Sequence, residues 1–271
     1  MRRAEQTVPD WAIGCMDREY IILDGSDKDP SIAIWIQTES QFFDLRIRSD
    51  RPAFEGRSSL GDFSSDELMQ LARQSGDVGI CVVENNVATW KGWSDRFGFF
   101  SEDTAIFPED GRLDPKGNVI YEYETPKSSV PYEEAWVQQP NDDGLIAHLT
   151  LRDESKPNKV LAALLVTGRY AGYCEKSTSD NHLSLEAQLK EAAGGLNRMR
   201  AILECEACYA ISPNAGGSYI VRHSNFPFRE GKELDVPRMD PQILESSERL
   251  PSQRANAWWQ VESWFITDEA E

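Results

Sequence analysis

Alternation with a period of two over residues 32–48 constrains this chain more than any other feature. The stretch reads Ile-Ala-Ile-Trp-Ile-Gln-Thr-Glu-Ser-Gln-Phe-Phe-Asp-Leu-Arg-Ile-Arg, two β-branched and aromatic runs joined at Thr38-Glu39-Ser40. Runs of that composition around a short polar bend predict two paired strands. A strand sends successive side chains to opposite faces, so Trp35, Gln37 and Glu39 share one face and Ile34, Ile36 and Thr38 the other. In the second run Asp44 and Arg46 share a face, opposite Phe43, Leu45 and Ile47. Such a hairpin suits a sheet curled around a polar-tuned pocket, and it suits an ordinary half-exposed sheet as well.

Similar punctuation recurs along the chain. Residues 11–23 read as two strands around a turn at 16–19, and further strands are expected at 78–84, 87–93, 103–107, 118–123 and 132–138. The meander continues at 145–151, 160–167, 169–174, 203–211, 218–223 and 258–265. Asn85-Asn86 tolerates the positive φ of a tight hairpin turn. Two short helices interrupt the pattern. One spans 64–75, where Ser64 and Glu67 form a capping box and Leu68, Leu71 and Ala72 an apolar stripe. The other spans 184–200 on Leu185, Leu189, Ala192, Leu196 and Met199, weakened by Gly194-Gly195. The expected fold is mostly β, an antiparallel barrel or sandwich. The expected organisation is a flexible leader over 1–10, a β domain over 11–266 and an acidic tail over 267–271. That domain is one barrel or two packed β modules split near 175.

Charge excludes some functions. The 271 residues carry 28 Lys plus Arg against 46 Asp plus Glu, a formal charge of −18, which repels phosphate backbones and anionic membrane surfaces. No basic cluster offsets it, so neither a nucleic-acid nor a membrane partner is expected. No apolar run approaches the roughly 20 residues of a membrane span, and no signal-peptide core follows Arg2-Arg3. The expected location is the cytoplasm, where five sparse cysteines stay reduced.

Signatures of cofactor or covalent chemistry are missing from the sequence. Cys205 and Cys208, three apart on a strand, point to opposite faces and cannot chelate together. His148, His182 and His223 are far apart, and the sequence lacks Gly-x-Ser-x-Gly and phosphate-loop patterns. No metal and no cofactor are therefore expected. His223, at a strand end beside Asn225, is the acid–base candidate among the histidines. Asp44 and Arg46 form the central pair: Arg46 could hold an enolate, carboxylate or carbonyl oxygen while Asp44 orients it, or the two could simply be a structural salt bridge. Gln37 and Trp35 extend the same surface. Trp90, and Trp136 with Glu134 on its face, add an aromatic wall, and Arg169, Tyr170 and Tyr173 make a candidate polar rim.

Several motifs occur together in one family. Trp-Ile-Gln-Thr at 35–38, Phe-Asp-Leu-Arg-Ile at 43–47, Glu134-Ala-Trp136, Gly168 with Tyr173, the Ser184-Leu185 helix start, Glu204-Cys-Glu-Ala-Cys-Tyr and Phe226-Pro-Phe-Arg-Glu-Gly231 appear in this order. The chain resembles the lipocalin-like proteins of fungi described as casein-kinase interactors, together with bacterial relatives, over roughly 10–235. It departs from them after Trp90, where Lys91-Gly92 replaces a His-Arg pair. The resemblance implies a lipocalin-like β-barrel without settled chemistry. By fold analogy it is also similar to lipocalin-like pericyclases of fungal secondary metabolism. The expected activity is thus a cofactor-independent cycloaddition, dehydration or isomerisation of a hydrophobic polyketide- or terpenoid-like molecule. The alternative is a ligand carrier or a protein-interaction module, whose acidic surface would suit a basic partner or whose copies would pair as a homodimer.

Overall fold

A computed structural model describes residues 1–25, 29–51, 55–93, 103–107, 117–125, 131–141, 144–176, 185–192, 194–214 and 217–267. Alternating side chains produce two antiparallel sheets. Strands β1 (Gly14–Leu23), β2 (Ile32–Gln37), β3 (Gln41–Ile47), β4 (Ser75–Glu84), β5 (Val87–Gly92), β6 (Asp103–Ile106), β7 (Val119–Tyr123) and β8 (Tyr132–Gln138) pair in chain order. β8 then returns to β1 and closes an eight-stranded barrel, with Met16 opposite Gln138 and Leu23 opposite Tyr132. Closure satisfies backbone groups that an open edge would leave bare. The mostly-β antiparallel barrel expected from the alternation is present.

A second sheet follows. It contains β9 (Leu145–Asp153), β10 (Val160–Thr167), β11 (Tyr170–Glu175), β12 (Ala207–Ile211), β13 (Ile220–Ser224), β14 (Arg249–Pro251) and β15 (Ala257–Ile266), in the order β13-β12-β11-β10-β9-β15-β14. The change of sheet falls between Gln138 and Leu145; position 175, where a split was expected, is the end of β11 inside the second sheet.

Local departures from the expected elements have physical causes. Residues 14–23 form one strand rather than two, with a bulge between Arg18 and Tyr20 that absorbs the polar run. Arg18 is buried inside the barrel, where Glu134 neutralises it, so its charge does not mark a turn. The helix expected at 184–200 is two, α2 (Leu185–Glu191) and α3 (Leu196–Leu203), broken where Gly194 takes a φ of +94°. α3 runs into the segment expected to begin β12. α1 (Ser65–Leu71) carries the Ser64–Glu67 capping box, and α4 (Pro241–Ser246), capped by Asp240, adds a helix between the strands expected at 218–223 and 258–265. Asn85 and Asn86 take φ of 51° and 62°, as the β4–β5 hairpin requires. The segment expected to be a loose leader is tied down: Arg2 exchanges backbone hydrogen bonds with Trp264, and Thr7 bonds Glu39 and Val83. The acidic tail from 268 lies outside the described residues.

The hairpin's two faces are both buried, against different partners. Ile34, Ile36, Phe43, Leu45 and Ile47 turn outward from the barrel and pack on Ala163, Leu165, Ala207 and Tyr209 of the second sheet. The approach is close at this seam. A Cβ on Gly172 would run into the ring of Phe43, and one on Gly76 into Ala207. The opposite face of the second sheet packs Leu149, Leu164, Val166 and Trp259 under Tyr219, Leu234, Met239 and Leu244. α1, α2 and α3 share a smaller core around Phe63, Leu68, Leu189 and Met199. No helix among the described residues is long and apolar enough to cross a membrane.

Candidate functional site in the barrel interior

The inward face of the hairpin places Trp35, Gln37, Asp44 and Arg46 inside the barrel, as the alternation predicts: Trp35 lies opposite Asp44 and Gln37 opposite Phe42. The same parity on other strands brings Trp90 from β5, Glu122 from β7 and Glu134 with Trp136 from β8. Trp35 is the hub of the aromatic wall. Its ring centroid is 5.9 Å from that of Trp90 and 5.8 Å from that of Trp136, both edge-to-face, and it stacks on Phe107 at 6.2 Å. Residues 7–13 cross the barrel end near the Thr38–Gln41 turn, burying Val8 and Ala12 and setting Trp11 edge-on to Phe107.

Beyond the aromatics the interior turns polar. Arg46 Nε donates to both carboxylate oxygens of Asp44 (3.1 and 3.2 Å), and Nη2 donates to Oδ2 at 3.2 Å. Its Nη1 lies 3.6 Å from Glu134 Oε1. Arg18 Nη1 donates to the same oxygen at 2.9 Å, while its Nη2 reaches Asp29 and the Ser31 carbonyl. Burial by itself would lower the Arg46 pKa, but Asp44 and Glu134 more than reverse it, so Arg46 is locked as a cation. Burial likewise raises Glu134, yet Arg46, a hydrogen bond from Glu122 and Arg18 together hold it below the usual carboxylate value. Arg18 and Glu134 side chains are each 2 % exposed, so removing either would leave the other buried charge with only its longer contact, Asp29 at 3.4 Å for Arg18 or Arg46 at 3.6 Å for Glu134.

Between the wall and this cluster lies a cavity. Trp35, Phe42, Trp90 and Trp136 form its apolar side and Asp44, Arg46 and Glu122 its polar side. Its water-sized space is about 30 Å³, room for about two waters. At this point the barrel interior holds a small polar-edged void among the described residues. Trp136 is 2 % exposed, and its indole N–H finds no acceptor among the described residues. An orphan buried donor costs about 1–3 kcal/mol.

The remaining sequence candidates are elsewhere. Gln37 is fully buried but does not line the cavity: its amide donates to the Thr38 and Gln41 carbonyls and accepts from Trp35 Nε1 at 3.2 Å. It positions Trp35 and fixes the turn. His223 stands on β13 of the second sheet, stacked on Tyr209, with burial pushing its pKa down. Arg169 donates to the Ser212 carbonyl at the β10–β11 turn. Tyr173 lies on the second sheet's far face against Trp259, its hydroxyl donating to Glu175. The structure thus does not bring His223, Arg169 or Tyr173 to Arg46. Cys205 points at the Glu175 carbonyl while Cys208 enters the far-face core. No group of three or more His, Cys, Asp or Glu among the described residues is placed to hold a metal. His182 lies outside those residues.

Sequence reasoning missed Arg18 and Glu122. Glu122 carried a readable signal, since it shares a face with Ile120 just as Glu134 does with Trp136. No protein-family model, curated protein or solved structure matches this chain.

Proposed function

We propose that the barrel interior binds a hydrophobic small molecule through one oxygen and acts on it as a cofactor-independent enzyme. The lipocalin-like reading of the motifs belongs to this proposal. The observation that carries it is an aromatic-walled cavity edged by the Arg46 guanidinium, with Trp136, whose indole N–H is unaccepted among the described residues, in its lining. Arg46, held in place by Asp44, and Trp136 converge as donors on a carbonyl or hydroxyl oxygen. Trp35 and Trp90 hold the hydrocarbon. Fixed donors aimed at an oxygen where negative charge develops favour enolisation, dehydration or cycloaddition, and aromatic walls hold reactants in a reactive geometry. None of these reactions requires a nucleophile. Because the void holds about two waters, a polyketide- or terpenoid-like body must displace part of the aromatic wall, and Trp90 at the cavity edge is the ring to move.

Calorimetric titration with a panel of uncharged polyketide- and terpenoid-like compounds tests this reading. Saturable binding is expected, weakened about three- to tenfold in Trp136→Phe, the factor corresponding to one neutral hydrogen bond. No saturable binding by any compound would overturn the site. Binding with every compound recovered unchanged after prolonged incubation would replace the enzyme by a carrier.

A further inference from the structure

Beside the seam the two sheets leave an open cleft, lined from both. β9 sends Ala147, Leu149 and Leu151 into the far-face core, so His148, Thr150 and Arg152 face the barrel side and line the cleft. β15 adds to them through a bulge between Val261 and Ser263. Val261 and Trp264 both join the far-face core, and the extra residue between them lets Glu262 and Ser263 both line the cleft. The barrel contributes Ile80, on the outward parity of β4 with Val78, and Trp93 just past β5, which also packs on the seam. The water-sized space is about 410 Å³, against about 30 Å³ in the barrel void. Small-molecule clefts span about 300–1,000 Å³.

We propose that this cleft is a second ligand site, outside the barrel, for an uncharged aromatic molecule bearing a hydroxyl, held by His148 and seated on Ile80 and Trp93. It does not depend on the reading of the barrel cavity.

The imidazole selects the hydroxyl. His148 is 8 % exposed, and its ring makes no hydrogen bond to any described residue. Whichever ring nitrogen faces the cleft is therefore open. Burial depresses the pKa to about 4, so the ring is uncharged at neutral pH, one nitrogen donating and the other accepting. A hydroxyl is donor and acceptor at once and pairs with either.

The charged neighbours select against ions. Burial would raise the Glu262 pKa, but Arg152 and the Thr150 hydroxyl hold it below the usual carboxylate value. Both donors take its Oε1, which leaves the anion's Oε2 to repel an anionic ligand. A cation would meet Arg152 and also Lys176, whose Nζ lies 5.8 Å from the Trp93 ring centroid. An uncharged hydroxyl meets neither repulsion. Ile80 is a large aliphatic side chain left 44 % exposed, and with Trp93 it gives a flat ring an apolar seat.

With three histidines in the chain, His148 can report its own ligand. Imidazole proton–nitrogen spectra of the isotope-labelled protein at pH 7, titrated with 2-naphthol, should show a saturable shift of the signal that is missing from His148→Gln. If that variant fails to fold, His182→Gln and His223→Gln identify the signal by elimination. A His148 signal that saturating naphthol leaves in place overturns the site. Followed on the same signal, naphthalene should bind about three- to tenfold more weakly, the factor of one neutral hydrogen bond. Equal binding by naphthalene overturns the hydroxyl contact, and equal binding by 2-naphthoate overturns the exclusion of anions. The shift should persist in Trp136→Phe. Its loss there would merge this site with the barrel cavity and overturn it as a second one.

Discussion

The barrel interior and the far face of the second sheet are both cores of buried aromatic and aliphatic side chains, but they treat polar atoms differently. Under the second sheet the polar tips are matched: Tyr219 donates to the Gly168 carbonyl and Tyr173 to Glu175. Segment 234–250 seals that face with Leu234, Met239 and Leu244. Inside the barrel Asp44, Arg46 and Glu122 edge a void, and Trp136 has no acceptor among the described residues. One core is finished. The other keeps an unmet donor, the kind of departure from full satisfaction that marks a working site.

Substitutions should separate the two. The largest effect is expected at Trp259, 2 % exposed in the far-face core. Trp259→Ala should lose about 3–5 kcal/mol in chemical denaturation and leave ligand affinity unchanged. An affinity loss as large as that of Trp136→Phe would erase the distinction.

Next comes His148 on β9, whose Nε2 is buried without a partner among the described residues. Burial, opposed by Glu262 and aided by Arg152, depresses its pKa from 6.5 to about 4. The unfolded chain binds the extra proton first, so stability should be full above pH 6.5 and fall as pH drops towards 4. At about 1.4 kcal/mol per pKa unit the loss approaches about 3 kcal/mol. Melting curves across that window should show the slope, and His148→Gln should flatten it.

Gln37→Leu should cost about 1–3 kcal/mol, because it strips two carbonyls and the Trp35 N–H of their partner. Affinity should fall only slightly, through a looser Trp35; a loss beyond tenfold would make Gln37 a ligand contact. The smallest stability change belongs to Trp136→Phe, at about 1 kcal/mol or less, since losing an orphan donor offsets the lost packing. A stability loss comparable to that of Trp259→Ala would show the barrel to be as finished a core as the other.

Much of this was legible locally. The inward set of the hairpin, the Asn85-Asn86 turn and the Ser64 cap follow from alternation and short-range hydrogen bonding, which neighbouring residues determine. What was hidden depends on distant partners. Asp17-Arg18-Glu19 looks like a turn until Glu134, more than a hundred positions away, is seen to neutralise Arg18. Glu122 resembles any half-exposed strand residue until register sets it against Glu134. The division at 138–145 is fixed by β8 returning to β1, a closure that no window of sequence contains. His223 as an acid–base candidate and Tyr173 as part of a rim read as site residues because polar and aromatic residues at strand positions look alike whichever sheet they join.

The seam where Phe43 meets the bare backbone of Gly172 has a consequence in time. These two residues belong to different sheets and are distant in the chain, so their contact can form only after both sheets have largely assembled. Docking there would act as the closing step of folding. A methyl group at the seam, as in Gly172→Ala, should therefore hasten unfolding far more than it slows refolding. The missing side chain sets how long the molecule stays shut.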